Sequence, residues 1–295
     1  MIKPMAVIRL MAFCLMLSIG SSVHAVVLRD DRQVDVTIHQ PPQRIVSLLP
    51  SLTETVCALG QCQKLVGVDR YSNWPDRIAH LPRMGGGLDP NIESVVAVKP
   101  DLVLMATSAR GAARFEALGL KVLALEPNTY NDVRRVMHIV AKALAVSEAD
   151  SERVWRTIDT AVNAAAQSVP AQTRGHLVYF EVGPAPHGAS ESSFIGETLV
   201  RLGARNILPA SLGPFPKINP EFVVKAQPDL IMVGDSSFAE MATRPGWQNI
   251  RAIRSQRVCH FKAEESDVLM RAGPRMDEAA RLMAQCLINK ARVNP

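Results

Sequence analysis

Four of the five cysteines, Cys57, Cys62, Cys259 and Cys286, are the side chains whose spacing offers the most chemistry in this 295-residue chain. Thiols form disulfides or bind zinc, and a C-x4-C pair without a nearby histidine is poor zinc spacing. We therefore expect disulfides. Three pairings are possible, and we favour Cys57 with Cys62 and Cys259 with Cys286, because each pair lies within one half of the chain. Both bridges are expected to be structural and not catalytic.

Common catalytic and phosphate-binding motifs are absent from the sequence, including G-x-S-x-G, H-E-x-x-H and G-x-x-x-x-G-K-[ST]. For a site that holds a small metal ion, only His187 and Asp267 obviously qualify as ligands. We expect a chain that is not an enzyme and holds no cofactor. An exported α/β enzyme and a small-metal binder are the less favoured alternatives. The formal net charge of +5 arises without basic runs, which argues against nucleic acid as the partner.

A repeat at an offset of 128 residues pairs residues 91–105 with residues 219–233, and seven of the fifteen positions are identical. Glu93 and Glu221 are equivalent in this repeat, and each lies in the first turn of a predicted helix. An acidic side chain there can simply complement the helix dipole. The symmetry favours a second interpretation, in which two matched acidic side chains dock onto a twofold partner with a basic socket in each subunit.

Short apolar runs alternate with helical patterns, which is typical of parallel α/β sheets buried on both faces. The runs begin near residues 44, 65, 101 and 121 and, in a second set, near 176, 229 and 257. Two sets predict two lobes, at residues 26–128 and 171–295, joined by a connecting helical segment at 129–170. The long helix predicted from Glu148 to Ser168 contains no Gly or Pro, so we expect a rigid connection.

Residues 1–25 have the pattern of an export signal. Their apolar stretch, Leu10 to Ile19, is shorter than the ~20 residues that span a bilayer, and Val23-His24-Ala25 predicts cleavage after Ala25. A membrane anchor at this end is the less favoured alternative. The mature chain is then expected in the periplasm, an oxidising compartment that permits disulfides.

Two segments, RIVSLLPSLTETVCALG from Arg44 and LVGVDRYSNWP from Leu65, resemble the opening of the periplasmic substrate-binding proteins that serve ABC importers of vitamin B12, haem and iron siderophores. The likeness spans nearly all of the chain after residue 25 and is closest to members that bind vitamin B12. It continues through Asn91-Ile-Glu, Lys99-Pro-Asp-Leu-Val, Gly213-Pro-Phe-Pro, Glu221, and Asp267 to Arg275. The resemblance implies two Rossmann-like lobes joined by a single long rigid helix, and a ligand held between them. It also implies that Glu93 and Glu221 contact arginines of a permease.

A flat ligand such as a corrin or porphyrin needs broad apolar and aromatic walls with a few polar groups. From the resemblance and from their places on loops, ten residues are expected to line the ligand site: Pro50, Ser51, Tyr71, Trp74, Gly86, Gly87, His187, Phe215, Asp267 and Arg271. Trp74 has an alternative role as a plug at the end of its lobe, and Arg271 as the partner of a carboxylate in its own lobe. The resulting hypothesis is a monomer that captures a cobalamin-like corrinoid and presents it to a permease dimer with its ATPase subunits.

Two positions depart from the members that bind vitamin B12, which have a Trp at Gly87 and a Phe at His187. Loss of the Trp removes a stacking surface for a corrin. A neutral His187 could coordinate cobalt or haem iron, and the phenolate of Tyr71 could bind ferric iron. Haem or a ferric siderophore is therefore the alternative ligand.

Overall fold

Two parallel β-sheets, each covered by helices, form the framework of the chain. The computed structural model describes residues 25–184, 186–241 and 243–291. The expected signal segment, residues 1–25, lies outside the described residues except for Ala25. Within the described ranges, no helix is both long and apolar enough to cross a membrane.

The elements alternate along the chain much as the apolar runs indicate. The strands are β1 (Val26–Arg29), β2 (Asp35–Ile38), β3 (Ile45–Ser47), β4 (Leu65–Val68), β5 (Leu102–Met105), β6 (Val122–Ala124), β7 (Leu177–Gly183), β8 (His187–Gly188), β9 (Arg205–Asn206), β10 (Leu230–Gly234) and β11 (Val258–Phe261). The helices are α1 (Pro50–Ala58), α2 (Ile92–Ala97), α3 (Ala112–Ala117), α4 (Tyr130–Ala143), α5 (Glu148–Ser168), α6 (Phe194–Arg201), α7 (Pro220–Ala226), α8 (Asp235–Met241), α9 (Arg251–Arg254), α10 (Ala263–Met270) and α11 (Met276–Ala291).

The two sheets share one strand order. The first is β4-β3-β5-β6, and the second is β9-β7-β10-β11, to which β8 adds as an antiparallel neighbour of β7. Numbered along the chain, the four parallel strands of each sheet therefore follow the order 2-1-3-4. Parallel strands joined through helices bring their carboxyl ends to one edge of the sheet, which is where open α/β sheets bind ligands.

The sequence repeat is also a repeat of local structure. The side chains of Asn91 and Asn219 cap α2 and α7 by accepting hydrogen bonds from backbone N–H groups of the first turn. Helix α2 leads into β5, which lies beside β3, and helix α7 leads into β10, which lies beside β7. The repeat therefore fixes equivalent helices at equivalent places in the two lobes.

Two aspartates anchor the turns that follow these helices. Asp101 accepts a hydrogen bond from the backbone N–H of Arg44 at 3.1 Å, and Asp229 accepts one from that of Leu177 at 2.9 Å. Arg44 and Leu177 stand at the start of the central strands β3 and β7. The shared Pro-Asp pair thus ties the start of β5 to the start of β3 in the first lobe, and the start of β10 to that of β7 in the second.

The connecting segment consists of two helices, α4 and α5, that pack on each other. Helix α5 has 21 residues, which gives it a length of about 30 Å. Tyr130 of α4 contacts Trp155 of α5 edge to face, with ring centroids 5.1 Å apart. The apolar face of α5 belongs to a buried cluster that also contains Ile45 of the first sheet and Phe180 of the second. A continuous core therefore holds the connection and both sheets together.

The cysteines are bonded as Cys57–Cys62 and Cys259–Cys286, which are the pairs favoured from the sequence. The first bridge joins the last turn of α1 to Cys62 just before β4, and the second ties β11 to α11. Helix α1 begins at Pro50, and proline at the first helical position loses no hydrogen bond. One feature differs from expectation. The β1–β2 hairpin has no counterpart among the predicted elements.

Candidate functional site between the lobes

The two lobes meet near the carboxyl ends of their parallel strands. In the first lobe α1 follows β3, and residues Arg70 to Trp74, here called the aromatic loop, follow β4. In the second lobe α10 follows β11 and carries Asp267. The approach is close, since a Cβ atom added to Gly273 would lie 3.2 Å from the Cβ of Ser51.

Glu54 of α1 joins the lobes. Its carboxylate, which is 1% exposed, accepts hydrogen bonds from Arg271 Nη1 at 2.8 Å, from Arg275 Nη2 at 2.7 Å and from Arg275 Nε at 3.1 Å. The two arginines belong to the second lobe. A buried carboxylate requires such partners, and removing one side of a buried ion pair leaves an uncompensated charge. The contact is therefore a specific link between the lobes.

Arg271 is the centre of this link. Besides Glu54, its guanidinium donates to Asn73 Oδ1 and to the carbonyl oxygen of Tyr71, both at 2.9 Å, and it pairs with Asp267 at 3.0 Å. Asn73 in turn donates to Asp267 Oδ2 at 2.7 Å. Arg271 thus pairs with a carboxylate in its own lobe and with one in the other lobe. In this arrangement a ligand has to compete with protein groups for the N–H donors of Arg271.

The aromatic loop presents two rings at the seam. Tyr71 is 58% exposed and Trp74 is 37% exposed. The guanidinium of Arg275 lies over the Trp74 ring, 5.0 Å from its centroid, and that of Arg70 lies 5.9 Å from the Tyr71 centroid. Exposed aromatic rings at the edge of a sheet provide surfaces on which a flat apolar ligand can stack.

A buried polar network supports the base of the aromatic loop. Asp69 accepts hydrogen bonds from the backbone N–H of Tyr71 at 2.8 Å and from the hydroxyl of Ser72. The hydroxyl of Ser72 also contacts that of Thr53 in α1 at 2.9 Å. Burial raises the pKa of Asp69 above its ordinary value, and the hydrogen bond from Ser72 and the charge of Arg271 oppose that rise.

A groove of about 650 Å³ opens along this seam. Asn73 and Trp74 form one wall, while Asp267 and Arg275 belong to the other. Most of the remaining charged groups around the groove are acidic: Asp76, Glu264, Glu265 and Glu278, with Arg281 as the exception. A larger groove along α4 and α5 contains no residue of the predicted ligand site.

The glycine loop, Gly85 to Gly87, lies beside the end of β3. The backbone N–H of Arg70 donates to the carbonyl oxygen of Gly85 at 2.8 Å, which joins this loop to the aromatic loop. A Cβ atom added to Gly87 would lie 3.0 Å from the carbonyl oxygen of Leu48. The absence of a side chain at Gly87 therefore matches a close approach between two backbone segments.

His187 and Phe215 lie on the second lobe apart from the Arg271 cluster. Nδ1 of His187 is 3.1 Å from the carbonyl oxygen of Pro184. The ring of Phe215 is half-buried and packs edge to face on Phe194, with centroids 5.8 Å apart. In the described part of the chain, no hydrogen bond or ring contact joins either residue to the cluster. Nor do the described residues contain a group of three or more His, Cys, Asp or Glu side chains able to hold a metal ion.

Glu93 and Glu221 are both exposed and lie in the first turns of α2 and α7. Each follows its capping asparagine by two residues. Neither carboxylate takes part in an ion pair or hydrogen bond recorded for the described residues. The two side chains therefore extend from equivalent surface positions of the two lobes.

Comparison with known proteins adds to this geometry. The family described as periplasmic binding protein matches residues 45–265, which is most of the chain. The chain belongs to this family. The uncharacterized ABC transporter substrate-binding lipoprotein YvrC of Bacillus subtilis (strain 168) is 27% identical over 278 residues, covering 90% of this chain and 87% of that protein.

Two further proteins illustrate the range of similar chains. A vitamin B12-binding protein of Pectobacterium atrosepticum is 26% identical over 247 residues, covering 81% of this chain and 86% of that protein. The solved structure of the periplasmic heme-binding protein RhuT from Roseiflexus sp. RS-1, in its apo form, has a TM-score of 0.72 and 25% identity, covering 85% of this chain and 99% of that chain. Membership confirms the resemblance and the α/β fold, and it identifies the chain as a binding protein and not an enzyme.

Sequence reasoning did not select three residues of this periplasmic binding protein's seam: Glu54, Asn73 and Arg275. Their partners lie about two hundred positions away, so no local pattern marks them. A weak signal exists, since all three fall inside segments that carry the family resemblance. The ligand-binding roles of the ten predicted residues stay predictions, and of these the structure brings Tyr71, Asp267 and Arg271 into one hydrogen-bonded cluster with Trp74 beside it.

Proposed function

We propose that the chain is the periplasmic substrate-binding component of an ABC importer and captures a large, flat ligand at the seam between its lobes. The observation that carries the proposal is the exposed pair of rings, Tyr71 and Trp74, which contacts of the opposite lobe hold at the seam. Family membership supports the transport role. Expected export of the chain after cleavage at Ala25 accounts for the periplasmic location and for two disulfides.

A corrinoid similar to cobalamin is the first candidate ligand. Its support is the sequence similarity to vitamin B12-binding proteins together with apolar rings that can face a corrin. Asp267 is partly exposed at the groove, where its carboxylate can accept hydrogen bonds from the amide side chains of such a ligand. We propose that Pro50, Ser51, Gly86, Gly87, His187 and Phe215 complete the walls, and that Arg271 contributes by fixing the loop that carries Tyr71.

Haem is the second candidate, and one observation favours it. The hydroxyl of Tyr71 has no hydrogen-bond partner among the described residues, and the side chain is mostly exposed. A phenolate is a known ligand of ferric haem iron. Glycine at residue 87, in place of the Trp that the members binding vitamin B12 have there, removes a stacking surface expected for a corrin, and a Cβ atom at this position would lie only 3.0 Å from the carbonyl oxygen of Leu48. The similarity to a solved heme-binding protein supports the same alternative.

Delivery requires a docking surface as well as a ligand site. We propose that Glu93 and Glu221 dock onto basic sockets of a permease dimer, which works with ATPase subunits. Matched charges on the two lobes suit a partner with twofold symmetry, and exposed charges mainly steer and orient such an encounter.

Titration of the purified mature protein with cyanocobalamin and, separately, with haemin tests the ligand. A change in the corrin absorption bands supports the first candidate, and a shifted Soret band supports the second. A mixture of both ligands shows which one displaces the other. Binding of neither compound at micromolar concentration would contradict both assignments and direct the search to ferric siderophores.

A further inference from the structure

The aromatic loop belongs to the first lobe and rests on its Asp69, but side chains of the second lobe hold it as well. Arg271 donates to the carbonyl oxygen of Tyr71 and to the side chain of Asn73, both at 2.9 Å. The guanidinium of Arg275 lies 5.0 Å from the centroid of the Trp74 ring. Consequently the backbone that carries Tyr71 and the ring of Trp74 depend on where these two arginines are fixed.

Arg271 also pairs with Asp267, and Arg275 with Glu278, but among the described residues Glu54 is the one carboxylate that contacts both arginines. Glu54 accepts three hydrogen bonds from them and is 1% exposed. No hydrogen bond joins Glu54 to the aromatic loop in the described part of the chain, so its influence on the loop passes through Arg271 and Arg275. Planar guanidinium groups bound in this way lose their rotational freedom. Because they are fixed, they restrict in turn the loop groups that they contact.

We propose that Glu54 is the positioning residue of the ligand site. It holds Arg271 and Arg275, which together hold Tyr71 and Trp74 in the arrangement that a flat ligand meets. The proposal deepens the proposed function and rests on it for the identity of the surface that binds. Rigid, preformed rings bind more tightly than mobile ones because less order is lost on binding.

Glu54, Arg275 and Trp74, here called the Glu54 triad, have a counterpart of the same composition elsewhere in the chain, which provides an internal comparison. Glu181 is fully buried and accepts two hydrogen bonds from Arg244, at 2.6 and 2.8 Å, while the Arg244 guanidinium lies 4.5 Å from the centroid of the Trp247 ring. All three residues belong to the second lobe. This triad shares the carboxylate, the guanidinium and the indole with the Glu54 triad, but it neither joins the lobes nor reaches the aromatic loop.

The first experiment needs no ligand. Trp74 is 37% exposed, whereas Trp155 and Trp247 are 6% and 0% exposed, so quenching of tryptophan fluorescence in the folded protein reports Trp74. Acrylamide is suitable because it is uncharged and insensitive to the altered charge of a variant. We expect E54Q to raise the quenching slope above that of the wild type, toward the slope of free N-acetyltryptophanamide, and E181Q to leave it unchanged. Equal slopes in E54Q and the wild type, or equal increases in E54Q and E181Q, would overturn the proposal.

The second experiment measures affinity with cyanocobalamin and haemin, whichever the wild type binds. We expect E54Q to weaken binding by about tenfold, mainly through faster dissociation, because the loop loses its preformed arrangement. E54D keeps the charge and should recover part of the loss. R275K removes the planar group over Trp74 but keeps Arg271 on Glu54, so it should raise the quenching slope and lower affinity less than E54Q.

The outcomes separate this proposal from the proposed function. If the wild type binds and E54Q binds equally well, the positioning role is wrong and the binding function stands. If the wild type binds neither compound, the ligand assignment is wrong, while the quenching comparison still decides whether Glu54 orders the loop. Should E54Q fail to fold, E54D and R275K supply both measurements.

Discussion

Lys99 and Gln227, which lie 128 positions apart, share a left-handed backbone conformation with φ angles of 46° and 47°. Gln227 is the C-cap of α7, and Lys99 directly follows Val98, the C-cap of α2. Repeated helices that begin at an asparagine cap present their first-turn side chains alike. This duplication is the structural basis for expecting that Glu93 and Glu221 act as a pair.

Replacing both Glu93 and Glu221 by Ala is expected to abolish uptake of labelled ligand while ligand affinity stays at the wild-type value. Both carboxylates are exposed and make no hydrogen bond or ion pair with the aromatic loop in the described part of the chain, so we expect fold and ligand site to tolerate their loss. Uptake is measured in cells that lack their own copy of the protein, and affinity with the purified variant. Glu148→Ala is the control, because Glu148 is also exposed in a first helical turn but has no partner in the repeat. Normal uptake by the double variant would refute the docking role.

Tyr71→Ala is expected to weaken ligand binding by more than about tenfold, since an exposed ring at the seam is lost as a contact surface. Tyr71→Phe separates the two candidate ligands. A stacked corrin tolerates the loss of the hydroxyl, whereas ferric haem held by the phenolate loses that ligand, with a visible change in the Soret region. Leu118→Ala, at another exposed apolar position, is the control. Unchanged affinity of Tyr71→Ala would show that the ligand binds elsewhere.

Removal of the Cys259–Cys286 disulfide by serine substitution is expected to lower the free energy of unfolding more than removal of Cys57–Cys62. Cys259 and Cys286 are 27 positions apart, whereas Cys57 and Cys62 are 5 apart. Loop-closure entropy predicts losses of about 3.5 and about 2 kcal/mol respectively. Urea unfolding of the two double variants, each beside the wild type in reductant-free buffer, measures the difference. A larger loss for the shorter loop would contradict this expectation.

The pH dependence of stability is expected to contain a contribution from Asp69. Its pKa in the folded protein lies above the ordinary value of 3.8, chiefly because burial disfavours the charged carboxylate. The folded state therefore binds this proton more tightly than the unfolded chain does. The stabilising contribution is complete below pH 3.8 and is lost as the pH rises through the folded-state pKa.

Asp69→Asn isolates this contribution, because an amide does not titrate over that range. We subtract the free energy of unfolding of Asp69→Asn from that of the wild type. We expect this signed difference to fall as the pH rises from the ordinary aspartate value. Urea unfolding at a series of pH values measures it. Asp101→Asn serves as the control at an exposed aspartate whose carboxylate also accepts backbone hydrogen bonds. A difference that grows with pH would show that the sign is wrong.

Local signals account for what the sequence predicts well. The bounds of α5, Glu148–Ser168, match the prediction because a serine cap, a helical apolar period and the absence of Gly and Pro all agree. The repeat predicts the placement of Glu93 and Glu221 on equivalent helices for the same reason. Strands β8 and β9 escape notice, since two-residue strands carry no period.

The seam is the part that local signals miss. Glu54 lies in a helix whose pattern gives no sign that its carboxylate meets guanidinium groups 217 and 221 residues later. For Arg271 the sequence suggests either a ligand contact or a carboxylate partner in its own lobe, whereas the side chain also pairs with a carboxylate of the other lobe. Such contacts depend on how the lobes pack, which no short segment encodes.

Asp101 and Asp229 have a practical consequence for measurement. The same carboxylate-to-amide bond occurs twice in one polypeptide, at the same point of the same strand order. Among the described residues, Asp101 also accepts a bond from the backbone N–H of Gln43 at 2.8 Å, whereas Asp229 pairs with Arg251 at 2.6 Å. Substituting each by Asn in turn gives two values for one bond in two neighbourhoods. Their difference measures how strongly surroundings modify a hydrogen bond, so the polypeptide supplies its own replicate for a quantity usually compared across unrelated proteins.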